Sequence, residues 1–300
     1  LDQEQQERAR EDRECVEQHL LFFGRGGKFA KRVLYRRASS VMANGLWVMR
    51  KTFLRSLALT ALLSWQGDAF SACPSHERVN TLIRFMVTKE QVRGLRTDLT
   101  MQDAECGRRR LVERLEASDN RIVGYKAGLT NKALQERFGA GSPVRGVLLE
   151  KMLLPDGADV PFDFGARPVY EADLMVVVKA AAIHKAKTHL DVLNALSLVV
   201  PFIELPDLLV AEGEKLSGPL IVSINVGARL GVVGKGMPAE ATPEFASALA
   251  AMRVVVSDQK GRELASGKGA AILDHPLNAV LWLVQDLEKS GIRLKAGDVL

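Results

Sequence analysis

The chain of 300 residues is 47% hydrophobic and 26% charged, a balance that excludes a disordered or fibrous polymer and provides for a sizeable core. Its net charge of +5 is modest. Part of the excess sits between Gly24 and Arg37, where Arg25, Lys28, Lys31, Arg32, Arg36 and Arg37 stand without an acid; no nucleic-acid motif accompanies them, so nucleic acid is not an expected partner.

Residues 1–48 carry little pattern and read as an upstream extension or a non-native leader. From Met49 the character changes. Arg50, Lys51 and Arg55 form a basic head, Leu57 to Trp65 an apolar run too short to span a membrane, and Ala69-Phe70-Ser71 a small-x-small cleavage signal. Residues 49–72 are therefore expected to be a signal peptide and the protein to be exported, to a periplasm for instance, with a cytoplasmic chain carrying a buried amphipathic helix as the alternative. Phe70-Ser71-Ala72-Cys73 approaches a lipoprotein box. After export Cys73 and Cys106 are the only cysteines, and an oxidising compartment would let them pair.

Val79, Leu82, Ile83 and Met86 predict a helix, and Ala104 to Ala117 a second; residues 73–120 read together as a helical cap. From Arg121 the texture turns to strand, at Ile122–Gly128, Gly146–Leu149, Glu171–Val178, Leu220–Val226, Gly231–Gly234 and Met252–Ser257, the last leading into an Asp258-Gln259-Lys260-Gly261 hairpin turn. Thr130 or Asn131 caps a short helix, Leu190–Val200 predicts another ending before Pro201, and a third starts with Asp274 as N-cap and Pro276 in its first turn. Many strands with few, non-alternating helices imply an α+β class for residues 121–300. Leu294 to Leu300 reads as a turn entering a strand that is cut off at the C-terminus.

The most informative stretch is Pro168-Val169-Tyr170-Glu171-Ala172-Asp173-Leu174, followed by Met175 to Val178. Side chains alternate along a strand, so Glu171 and Asp173 share a face. Two such carboxylates, with Glu204 in a later apolar segment, are oxygen donors of the kind hard divalent cations take. The plainer alternative is a pair of solvated carboxylates at a strand end.

Gly124-Tyr125-Lys126-Ala127-Gly128-Leu129-Thr130, Glu171-Ala172-Asp173, the Glu204 segment, Ser266-Gly267-Lys268-Gly269, His275-Pro276-Leu277-Asn278-Ala279 and Leu294 to Leu300 occur in an order that resembles the 2-keto-4-pentenoate hydratase family of the fumarylacetoacetate hydrolase superfamily. The resemblance implies a mixed, twisted β-sheet roll, assembly into homo-oligomers, and Mg²⁺ or Mn²⁺ held by Glu171, Asp173 and Glu204. Asp173 stands where the family pattern has Glu, which implies an altered metal preference. Lys126 and Glu171 take the catalytic positions, and Lys268, Gly267 and Asn225 are candidates for substrate contact. A lysine between strand glycines is costly to bury without a partner, which independently favours a functional Lys126; a snorkelling lysine is the alternative. His275 reads as helix-start structure, and His184 and His189 as solvated.

The implied reaction is metal-dependent addition of water to 2-hydroxypenta-2,4-dienoate, giving 4-hydroxy-2-oxopentanoate, with a small 2-oxo acid as partner and no transmembrane span. Two alternatives stand beside it: the related decarboxylase of 2-oxo-3-enedioates such as 4-oxalocrotonate, and a non-catalytic exported binder of small acids. A dicarboxylate would call for a further base at the far end of the pocket, with Arg145 or Arg167 as donor.

Overall fold

The computed structural model of the protein describes residues 73–95, 98–258 and 260–300. The leader and signal-peptide readings fall on 1–72, outside the described residues.

Two helices come first, α1 (His76–Thr88) and α2 (Met101–Glu116). The second starts where a Thr-x-x-Asp spacing permits a reciprocal cap: Asp103 N donates to Thr100 Oγ1 at 3.1 Å and Thr100 N to Asp103 Oδ2 at 3.3 Å. Strand β1 (Ile122–Gly128) pairs antiparallel with β2 (Val144–Leu149), and between them α3 (Lys132–Phe138) is capped by Asn131. Short β3 (Leu153–Leu154) precedes β4 (Glu171–Val178), which spans the expected residues.

Beyond β4 two expectations fail. The apolar run Leu190–Val200 is not one helix: α4 (His189–Asn194) stops after one and a half turns, and strand β5 (Leu196–Leu205) begins at once. Its β-branched Val199 and Val200 fit a pleated surface, and Pro201 is tolerated within the strand. Conversely, Leu220–Val226 is not a strand. Ser217 caps α5 (Gly218–Ser223), with Pro219 in the first turn, and a 3₁₀ turn follows at Asn225–Gly227.

The remaining elements are β6 (Leu230–Val233), β7 (Met237–Pro238), α6 (Pro243–Ala251), the hairpin β8 (Arg253–Ser257) and β9 (Glu263–Lys268), and α7 (Pro276–Lys289). The N-cap of α7 is His275 rather than Asp274: its Nδ1 accepts from Leu277 N at 3.0 Å. His184 and His189, expected to be solvated, are partly buried. His189 Nε2 meets Asn278 Oδ1 at 2.8 Å with its ring stacked on His275, and His184 Nε2 accepts from Leu294 N.

The main sheet runs β3-β6-β5-β4, with β7 on the flank of β5. Strand β4 is antiparallel to β5, which is antiparallel to β6, and β3 joins β6 in parallel. The last residues stitch β1 to β4. Val299 N donates to Val123 O and Tyr125 N to Val299 O on one side, while Leu300 and Val176 exchange both backbone bonds on the other. Gly124 is required there, because a Cβ would lie 2.0 Å from Val299 O.

Helix α7 packs on β1 and α4 and buries Leu277, Leu283 and Leu287 in the main core, each side chain contributing about 1.5–3 kcal/mol. Val79 and Met86 of α1 and Leu111 of α2 share a second apolar cluster with Leu209, Leu220 and Ile224. Cys73 and Cys106 form a disulfide that ties the chain before α1 to α2. None of the described helices is long and apolar enough to cross a membrane.

Candidate active site

The antiparallel register puts Glu171 of β4 directly opposite Glu204 of β5, with Asp173 opposite Phe202. Facing like charges destabilise a sheet unless something else uses them. Glu204 is 2% exposed, and Glu171 and Asp173 are half-buried. Across the C-terminal stitch, Lys126 of β1 is 9% exposed and forms a hydrogen-bonded ion pair with Glu204. Its Nζ also donates to Val226 O at 3.1 Å. Gly146 on the neighbouring strand makes space for the lysine, since a Cβ there would come within 2.8 Å of the Lys126 Cγ.

Burial pushes the Glu204 carboxyl up to about 7; Lys126 pulls against this, and Glu171 and Asp173 add to it. Burial alone would lower Lys126, but Glu204, Glu171 and Asp173 outweigh it and hold the ammonium above the ordinary lysine range. Three carboxylates thus face a single ammonium, a surplus of negative charge that a divalent cation would neutralise. In the side-chain arrangement described, Glu204 is turned to Lys126, and no three His, Cys, Asp or Glu side chains among the described residues converge on one ion position. The donor chemistry fits a hard cation; ligation would require Glu204 to turn from the lysine toward Glu171 and Asp173.

A cleft of about 560 Å³ opens beside the cluster. It is lined by Lys126, Glu171 and Asp173 together with Val169, Pro206 and Arg167. Glu204 lines a smaller adjoining cavity with Lys126 and Asp173.

Three sequence candidates are not brought to the cleft. Asn225 is 1% exposed and bridges one residue of β2, accepting from Val147 N at 2.8 Å and donating to Val147 O at 2.9 Å; both ends of its amide are used in holding the 3₁₀ turn to the sheet. Gly267 and Lys268 lie on β9, in register with Val254 and Arg253, and Lys268 is exposed. The chain reaches the cleft only beyond them, at Ala271 and Ile272. Arg145 is also turned away. It is buried, with Nε on Asp286 Oδ2 at 2.6 Å and Nη2 on Ser290 Oγ at 2.9 Å.

A buried lysine–carboxylate cluster with displaced proton affinities, open to a cleft, is the arrangement of an enzyme active site rather than of a packing core. No protein-family profile matches the chain, but individual relatives do. It is 30% identical over 222 residues to the 2-oxo-hept-4-ene-1,7-dioate hydratase of Escherichia coli, covering 71% of this chain and 80% of that one. It is 28% identical over 228 residues to the 2-keto-4-pentenoate hydratase of Paraburkholderia xenovorans, covering 75% and 82%. Among solved structures, the 4-oxalocrotonate decarboxylase of Pseudomonas putida G7, complexed with magnesium and adipate, superposes with a TM-score of 0.66 at 28% identity, over 75% of this chain and 86% of that one. The chain belongs to the 2-keto-4-pentenoate hydratase family.

Proposed function

We propose that the protein is a divalent-metal-dependent hydro-lyase that adds water to a 2-hydroxy-2,4-dienoate to give a 4-hydroxy-2-oxo acid. The observation that carries the reading is the buried Lys126–Glu204 pair, flanked by Glu171 and Asp173 at the end of the cleft, in a chain related to hydratases over most of its length.

Glu171, Asp173 and Glu204 would hold the cation, Mg²⁺ or Mn²⁺. When bound, it supplies a Lewis acid that polarises the 2-oxo acid head. The protein's own groups do the rest. Lys126 keeps a proton on Nζ at the cleft wall, where a fixed positive charge out of water stabilises an anion as it develops and can return a proton to it. Glu171, half-buried at the cleft, would serve catalysis as a cation ligand that sets the substrate head against Lys126. Val169, Pro206, Leu208 and Ile221 keep the middle of the cleft apolar.

The test is the loss of dienol absorbance of 2-hydroxypenta-2,4-dienoate with and without Mg²⁺. Metal-dependent loss, reduced at least a hundredfold in Lys126→Ala and in Glu171→Ala, is the expected result; full turnover in both variants would sink the assignment. The same-site alternative, decarboxylation of 4-oxalocrotonate, is supported by the structural match to that decarboxylase and is separated by measuring CO₂. Metal binding without turnover of either compound would favour the small-acid binder.

We also read residues 73–120 as a cap over the family's sheet roll, supported by the way α1 and α2 back Ile221 of α5 and Ile224 just after it, both of which line the cleft. Export is supported by the Cys73–Cys106 disulfide. That bond uses the sulfur a lipid anchor would need, so the exported form in this reading is not a lipoprotein. Assembly into identical copies rests on the family resemblance and on the apolar Val255 and Leu264 exposed on the β8–β9 hairpin; sedimentation gives the mass.

A further inference from the structure

Arg167 marks the far end of the cleft, and its position follows from the same ladder that builds the acidic end. The pairing of β4 with β5 continues upstream without slipping: Val169 N donates to Pro206 O at 2.9 Å, Pro168 bridges Asp207, and Leu208 N donates to Arg167 O at 3.0 Å. Because faces alternate along an extended chain, Arg167, Val169, Glu171 and Asp173 share one side. Four residues of extended chain set Arg167 about 13 Å from Glu171. Between them lie Val169 and, on the partner strand, Pro206; Leu208 stands opposite Arg167.

The arginine is positioned through its backbone, not its side chain. Asp207, buried, accepts from Ala166 N, Arg167 N and Leu209 N, which fixes the chain where Arg167 lines the cleft. That guanidinium has one long bond, from Nη1 to Val210 O at 3.4 Å. Among the described residues no carboxylate lies within ion-pair distance of it. Lys215 and Arg137 line the same mouth together with Glu214, which accepts from Gly94 N. The cleft therefore runs from an acidic, cation-hungry end, across an apolar middle, to a basic end.

We propose that Arg167 selects a second carboxylate, so that the preferred substrate is a dicarboxylic 2-oxo or 2-hydroxy-dienoic acid, with a 2-oxo acid head at the Glu171 end and a distal carboxylate on the guanidinium. An arginine fork offers two parallel N–H donors to a carboxylate, and partial removal from water strengthens the pair. The volume agrees, since about 560 Å³ is more than a five-carbon monoacid fills. The inference rests on the hydro-lyase reading for which end takes the head group, and its test has a binding arm that does not require turnover.

Wild type, Arg167→Met and Arg167→Lys are compared by kcat/KM on 2-hydroxypenta-2,4-dienoate and on 2-oxo-hept-4-ene-1,7-dioate, and by calorimetric binding of adipate and hexanoate with Mg²⁺ present. Wild type is expected to favour each diacid over its monoacid by tenfold or more, Arg167→Met to lose that preference, and Arg167→Lys to keep part of it. Equal handling of mono- and diacid by wild type, or a preference that survives Arg167→Met, overturns the proposal. If neither acid turns over yet the adipate preference exists and is lost in Arg167→Met, the hydratase reading falls and the diacid subsite stands. If Arg167→Met fails to fold, Arg167→Lys takes its place, and a diacid preference unchanged in that variant overturns the proposal.

Discussion

The Glu204 carboxyl makes the metal-free protein lose stability as pH rises toward neutrality. In the folded state it titrates near 7, against an ordinary 4.5, so between those values the native protein holds a proton that the unfolded chain has released. Its contribution is fully present below pH 4.5 and is lost as pH rises through 7. Integrated from pH 5 to 7.5, that single group removes about 2 kcal/mol. Lys126, raised above the ordinary lysine range, stays charged throughout this window and adds no slope. The assay is urea unfolding in EDTA at pH 5 and pH 7.5 for wild type and Glu204→Gln. At pH 5 the folded protein already holds Glu204 protonated, so the variant exchanges a neutral carboxyl for a neutral amide there, and the two proteins part only as pH rises through 7. What matters is the slope: wild type should lose about 2 kcal/mol more than the variant across the interval. Equal slopes would refute the argument that burial and the neighbouring carboxylates govern Glu204.

Asn225→Ala leaves the buried N–H and C=O of Val147 without partners, each costing about 1–3 kcal/mol; denaturation should show the loss, while KM of the folded fraction stays within twofold because the amide does not reach the cleft. Reduction of Cys73–Cys106, which closes a separation of 33 residues, should lower stability by about 4 kcal/mol on the chain-entropy estimate; an unchanged midpoint in dithiothreitol would count against it. Gly124→Ala drives a Cβ into Val299 O, so backbone must move in the middle of the stitch; we expect a loss of more than about 3 kcal/mol, or insoluble protein, and a wild-type melting temperature would show that the C-terminal residues do not hold β1 to β4.

Local pattern by itself determined much of this protein. The alternation through Glu171 to Val178 set a strand with two carboxylates on one face, because a period of two is a property of the backbone and needs no partner. Lysine between strand glycines announced Lys126 for a similar reason: the glycines mark where other groups come close. A cap was legible at Thr130 or Asn131, and Asn131 takes the role because its side chain reaches a backbone N–H only two residues on. Only the tertiary structure decided what the apolar runs became. Leu190–Val200 and Leu220–Val226 are mostly apolar, and periodicity does not distinguish a buried strand from a buried helix; β5 exists because β4 and β6 stand ready on either side of it, and α5 because Ser217 and Pro219 start a turn that α2 then covers. The site depends on that choice. Glu204 meets Glu171 and Lys126 through cross-strand register and the C-terminal stitch, contacts spanning 33 and 78 positions of the chain. The same long-range packing drew Asn225 into a bridge to β2, left Lys268 on an outer hairpin, paired Arg145 with Asp286 and left Arg167 to the cleft. Residue type supplied the candidates, and register and packing sorted them, because which face a side chain occupies is set by the partner strand it pairs with.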